Sequence, residues 1–274
     1  MIEDIKIIPT TRIDPAFTTH ANYVEFMRSC SENLSVEYKN DVKNKIKESP
    51  LLAKKVKLSV FTMDNLLQEM KVIENNKDYS IVCSSWVSVK SYYLIFNLFL
   101  ILEYLITCRE ETLKSETHTG LFVKIKNHIK DGSLVFSEQC INEIYKCTDI
   151  KLWKFKAGNN LATLYQKDRD KQLIKKLLEY AKDEFKRKSK SNSLRGKEKI
   201  KFENQTNISL IDFFYWYRIK VNYRDLEFLD SNINEDQFYW YYKNYYQCSC
   251  SFYGALVTEI NRLSTIRLSR KIFS

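Results

Sequence analysis

The sequence predicts an all-α protein, and three observations carry that prediction. The chain holds only 5 glycines and 3 prolines in 274 residues. Sheet-rich chains draw their many tight turns from those two residues, so their scarcity points to long helices with few connections. Apolar residues recur at spacings of three and four, as in Leu52, Val56, Val60, Met63, Leu67 and Met70, which is the period of an amphipathic helix. The segment from Ser91 to Cys108 is apolar nearly all round, as a helix in the middle of a bundle must be. With 44% apolar residues, a chain of this length can bury a sizeable core.

The elements follow in order. Residues 1–19 contain Pro9 and Pro15 and read as an extended arm. A polar helix is expected from His20 to about Lys47, where Ser49-Pro50 breaks it. Leu51 to Asn75 forms the next helix, closed by Asn75-Asn76-Lys77-Asp78. The strongest helix then places Trp86, Val89, Tyr93, Phe96, Leu100 and Tyr104 on one face, with Leu98, Ile101 and Leu105 widening it. Asn97 and Glu103 interrupt its apolar run, which falls short of the roughly 20 residues a bilayer demands. It is expected to be the central core helix and not a membrane span. Glu110 to Gly132 is less regular, and Phe136 to Tyr145 suits a short helix. Leu161 to Lys188 reads as a long charged helix, Ile208 to Leu229 as an aromatic-rich segment, and Glu235 to about Leu268 as the final helix. The expected organisation is an N-terminal arm and helix over 1–50 and a helical domain over 51–268. Within that domain, 150–205 forms a charged helical insertion with a basic loop.

Several chemistries are excluded at this level. No GxGxxG or GxxxxGK occurs, which argues against a nucleotide-binding α/β enzyme. Seven cysteines at irregular spacing include no CxxC pair, and Cys248 and Cys250 stand too close for the usual structural zinc pair. His20, His118 and His128 lack metal-ligand spacing, and no GxSxG elbow is present. No metal and no cofactor is expected. The segment Met1 to Pro9 carries acids and no long apolar run, so no signal peptide is expected there. Reduced thiols in a cytoplasmic protein follow.

The formal net charge is +10, and much of it is local. Lys186, Arg187, Lys188, Lys190, Arg195, Lys197, Lys199 and Lys201 are offset only by Glu198, so this strip supplies +7 and leaves +3 elsewhere. Such a strip can neutralise nucleic-acid phosphates. It can equally be a solvated loop whose like charges repel.

The most chemically loaded segment is Tyr217-Arg218-Ile219-Lys220-Val221-Asn222-Tyr223-Arg224-Asp225. At helical spacing Arg218, Asn222 and Asp225 share a face. Arg218 can grip a phosphate or carboxylate with a fixed fork of donors. Asn222 can orient a substrate oxygen, and Tyr223 offers a hydroxyl. The structural alternative is an ion pair of Arg218 with Asp212 or Asp225.

The order of three segments resembles the HEPN superfamily of helical-bundle proteins. They are the helix from Ser85 to Phe96, the connector Thr117-His118-Thr119-Gly120-Leu121-Phe122, and the segment from Trp216 to Asp225. The long aromatic helix after Glu235 would close the bundle, and the likeness covers about 51–268. The resemblance implies an antiparallel helical bundle with an N-terminal helical extension. It also implies a homodimer and RNA as the target. It places the chain in a toxin–antitoxin or anti-phage defence system, with an antitoxin or defence-complex protein as a further partner. Many such proteins are metal-independent endoribonucleases whose motif is an arginine followed, after four to six residues, by a histidine. Here Arg218 matches the arginine and Asn222 the assisting polar residue, but Tyr223 stands where histidine is expected. No histidine follows His128. His118 is the substitute that the connector can bring to the same end of the bundle. The expected functions are therefore an RNA-cleaving effector, with Arg218, Asn222, Tyr223, Asp225 and His118 as its site, or a non-catalytic RNA- or protein-binding module.

Overall fold

In the computed structural model, residues 15–42, 49–153, 169–190, 193–223 and 235–264 are described. The fold is predominantly helical. The helices are α1 (Pro15–Ser31), α2 (Pro50–Asn75), α3 (Tyr79–Thr107), α4 (Glu110–Ser115), α5 (His118–Lys130), α6 (Gln139–Asn142) and α7 (Cys147–Leu152). They continue with α8 (Arg169–Ser189), α9 (Gly196–Gln205), α10 (Asp212–Tyr223) and α11 (Glu235–Leu263). Four short strands accompany them: β1 (Val36–Tyr38), β2 (Leu134–Phe136), β3 (Tyr145–Lys146) and β4 (Asn207–Ile208).

Local chemistry explains the long helices. The Ser49 hydroxyl accepts from the Leu51 N–H, and Pro50 opens α2, where its missing N–H costs nothing. α3 follows after Asn76–Asp78 and ends at Cys108, whose left-handed conformation (φ 53°) turns the chain out of the helix. α3 is the axis of the core. Leu94, Ile95, Leu98, Phe99, Leu102 and Leu105 are all fully buried, each burial contributing about 1.5–3 kcal/mol. By length and composition α3 is long enough to cross a membrane, yet 83% of its most apolar window lies inside the protein.

Not all neighbours of α3 are antiparallel. The Ser80 hydroxyl bonds the Glu235 carbonyl, the Ser84 hydroxyl bonds the Phe238 carbonyl, and Ser249 bonds Ser91. α3 and α11 therefore run side by side in the same direction, a departure from a purely antiparallel bundle. Small serines at this seam let the two long helices approach closely. α2 folds back along α3, with Lys90 paired to Glu69 across the hairpin.

Of the segment assigned by sequence to an N-terminal arm and helix, residues 1–14 and 43–48 lie outside the described residues, and the described helix α1 packs into the common core. α1 sets Phe17 against Phe238 and Tyr241 of α11, with ring centroids 5.4 and 5.3 Å apart. Fully buried His20 bonds the Tyr245 hydroxyl at 2.7 Å and stacks on Tyr217 at 3.9 Å. α1 ends at Ser31 and does not reach Lys47. β1 follows and pairs with β2 in the register Val36↔Phe136 and Tyr38↔Leu134. The buried Glu259 carboxylate of α11 fixes that strand, accepting from the Tyr38 N–H at 2.6 Å and from Arg262. The expected helix from Phe136 to Tyr145 is likewise broken up, into β2, the single turn α6 and β3. The Asn142 amide accounts for this by bonding both the N–H and the carbonyl of Phe136.

Two expectations about surfaces change. Trp86 and Tyr93, assigned to the buried face of α3, are 57% and 40% exposed. Most of the described part of the basic strip is helical. α8 continues to Ser189 and α9 begins at Gly196, with Phe185 packed edge-on against Phe202 at 5.3 Å. The strip therefore spans the end of α8 and the start of α9, and residues 191–192 between them fall outside the described residues.

Candidate functional site

Three helices bring the site together. α3 supplies Tyr92 and Tyr93, which project about 100° apart because they are neighbours on one helix. Tyr92 is fully buried while Tyr93 reaches the rim. α10 supplies Tyr215 and Arg218, one turn apart on one side. α5 supplies His118 at its first position. There the Thr117 hydroxyl caps the helix, accepting from the Gly120 N–H at 3.0 Å. Gly120 leaves room for this cap, since a Cβ would fall 2.7 Å from the Thr117 hydroxyl oxygen and 2.5 Å from Glu116 Oε1.

Arg218 sits in a box of tyrosines. Its guanidinium carbon lies 4.6 Å from the Tyr92 ring centre and 5.7 Å from both the Tyr93 and Tyr215 rings. These faces attract the cation through their quadrupoles. Arg218 Nη1 donates to the Tyr93 hydroxyl at 3.2 Å. Nε is buried and has no hydrogen-bond partner among the described residues. The proposed ion pair with Asp212 does not form. Asp212 instead starts α10, accepting from the Ser209 N–H at 2.9 Å and pairing with Lys126 at 2.9 Å. Asp225 lies outside the described residues. Among the described residues Arg218 pairs with no carboxylate, so most of its five donors remain to meet an anion.

His118 belongs to the same aromatic box. Its ring centre is 4.6 Å from Phe96, 5.5 Å from Tyr92 and 6.1 Å from Tyr93. Nδ1 shares a hydrogen bond with the Tyr92 hydroxyl. Burial lowers the His118 pKa below the usual 6.5, and the positive charges of Arg218 and Lys55 lower it further. The imidazole is therefore neutral at pH 7. Burial also raises the Tyr92 hydroxyl well above the usual tyrosine range, so it keeps its proton. With Nδ1–H donating to the Tyr92 oxygen, Nε2 carries the free lone pair and can accept a proton; with the Tyr92 O–H donating to Nδ1, Nε2 carries the hydrogen instead.

The chain matches no family model, no curated protein and no solved structure.

The remaining expected site residues divide clearly. Asn222 and Tyr223 lie in the last turn of α10, the helix that carries Arg218. Among the expected phosphate contacts, Lys186 pairs with Asp183 at 3.8 Å, while Arg187 and Lys188 both turn to the buried Glu184 at 2.6 and 3.6 Å. Lys190, Arg195 and Lys197 are exposed around the end of α8 and the start of α9. Burial raises the Tyr215 hydroxyl above the usual tyrosine range, and the charges of Glu184, Arg218 and Arg187 also act on it. His20 lies in the core, and His128 bonds the buried Glu103 at 2.9 Å. Among the described residues no group of three or more His, Cys, Asp or Glu side chains could hold a metal ion, and all seven cysteines are free thiols.

Sequence reasoning missed Lys55 and Tyr215 and gave Tyr92 no role of its own. The available signals were the tandem Tyr92-Tyr93 and the Tyr215/Arg218 pair at i, i+3. Neither could be told from core packing without knowing that α3, α5 and α10 meet.

Proposed function

We propose that this chain is an RNA-targeting effector of a bacterial toxin–antitoxin or anti-phage defence system, cutting RNA at the Arg218–His118 site. One observation carries this reading: an arginine that pairs with no carboxylate among the described residues shares an aromatic box with a neutral histidine. Arg218 would hold a phosphodiester and offset the charge that builds on it. His118 would take the proton of the adjacent 2′-hydroxyl. The 2′-oxygen then bonds to phosphorus, the bond to the 5′-oxygen breaks, and that oxygen leaves with a proton from solvent. The products are a 2′,3′-cyclic phosphate and a 5′-hydroxyl end. The resemblance adds a homodimer, a protein partner that restrains the activity, and a cytoplasmic setting, in keeping with free thiols.

A second reading, a non-catalytic RNA- or protein-binding module, is favoured by Tyr223 standing where the motif histidine would be. Incubating the purified protein with RNA and identifying the new ends separates the two. Cyclic phosphate ends support cleavage, and tight binding with intact RNA selects the module. For either reading the basic strip is expected to contribute a salt-sensitive contact. Replacing Lys190, Arg195, Lys197, Lys199 and Lys201 with serine should flatten the slope of log affinity against log salt by about 0.7 per lost phosphate contact on a single strand. An unchanged slope assigns the strip to solvent.

A further inference from the structure

Trp86 and Tyr93 stand two turns apart on one side of α3, exposed by 57% and 40%. Tyr79 and Val82 continue the same exposed stripe towards the start of the helix. Indole and phenol rings left in solvent on a helix otherwise buried against its neighbours require an explanation. Their surroundings indicate what covers them. Tyr93 bonds Arg218 at 3.2 Å, so the stripe runs into the guanidinium and then to His118. Lys55 adds positive charge there. Lys90, one turn beyond Trp86, is held by Glu69. Among the described residues no carboxylate neutralises Arg218. An apolar track that ends on an unneutralised cation suits a ligand with flat apolar faces and negative charges at short intervals. Single-stranded nucleic acid has that chemistry. A duplex does not, because its bases are stacked away from side chains.

We infer that α3 is a base-stacking track for single-stranded RNA, with one base on Trp86, one on Tyr93, and the backbone beyond the Tyr93 base delivered to Arg218. Seven residues of helix set the two rings about 10 Å apart, so each takes its own base. The inference rests on the RNA reading above and adds to it the strandedness of the substrate. The track also explains how a site with few donors selects the scissile phosphate. The stacked bases fix the register, and Arg218 receives the phosphate that this register presents.

The test is fluorescence anisotropy with a labelled 2′-O-methyl RNA, which cannot be cut, as a single strand and as a duplex. The proteins are wild type, Trp86→Ala, Trp86→Phe and Arg218→Ala. Trp86→Ala is expected to weaken single-strand binding roughly 5- to 150-fold, as loss of one stacked base does. Trp86→Phe should stay within a few-fold of wild type, and duplex affinity should not change. Because Trp86 is exposed, Trp86→Ala should melt like wild type. A melting temperature lowered equally in both Trp86 variants, with equal loss of binding, would assign Trp86 a packing role and overturn the track. Wild-type affinity in Trp86→Ala with loss in Arg218→Ala overturns the track and leaves the RNA reading standing. No binding by wild type removes the RNA reading and the track with it. A shift from dimer to monomer in sedimentation of Trp86→Ala makes the stripe a self-association face, and the track is wrong.

Discussion

Replacing Arg218 with alanine is expected to reduce RNA cleavage by about a hundred- to a thousandfold, the usual cost of removing a donor aimed at developing oxyanion charge. On the proposed reading, the same change should abolish toxicity in cells that express the protein alone. The guanidinium makes one hydrogen bond to Tyr93 and otherwise rests on ring faces. The loss should therefore appear in chemistry and phosphate binding more than in stability. Arg218→Lys keeps the charge but not the planar fork, and an intermediate rate is expected. Single-turnover cleavage of a defined RNA, read beside a thermal melt, checks both effects. Full activity in Arg218→Ala would remove the site.

His118→Ala should lower the cleavage rate about a hundred- to ten-thousandfold while leaving affinity for a non-cleavable RNA within a few-fold. The pH dependence follows from the direction of the shift. A base must be unprotonated, and burial with Arg218 and Lys55 holds His118 below 6.5. At sub-saturating RNA, where the free protein's titration is read, the rate should rise with pH with its midpoint below that value. Any variant that removes the Arg218 charge should move the limb to higher pH. The same shift affects folding. The unfolded chain takes up a proton near 6.5 that the folded site resists. Stability is therefore full above that pH and falls as pH drops through it. Tyr92→Phe removes the group that orients Nδ1 and should reduce the rate without moving affinity. A rate unchanged in His118→Ala takes His118 out of the mechanism.

The helices were legible in the sequence wherever a single element decides its own structure. Leu52, Met63 and Met70 are buried on α2 at the spacing that predicts them, and the run through Leu98 and Phe99 forms the central helix. Pairing between distant segments was not legible. Nothing local marks Val36 as the partner of Phe136, and three residues of alternation are too few to outweigh a helical window. Polarity also misled. The basic strip beyond Lys188 reads as a loop because its charges repel, yet a helix resumes at Gly196 and seats Phe202 on Phe185. Arg218 stood out by its chemistry, and His118 only through the family resemblance. Their shared box depends on Tyr92, which on a helix so apolar looks like any other core aromatic. The exposure of Trp86 was hidden for the same reason, since periodicity reports which residues share a face and not whether that face is covered.

The central claim is that an RNA phosphate is received beside His118 at Arg218. Three histidines make the imidazole signals separable by NMR. His118 should titrate below 6.5 in the free protein. Adding 2′-O-methyl single-stranded RNA should raise that pKa, because a phosphate brings negative charge and offsets the field of Arg218. In Arg218→Ala the free value should already be higher, and RNA should no longer move it. A His118 titration that ignores saturating RNA in the wild-type protein would contradict the account.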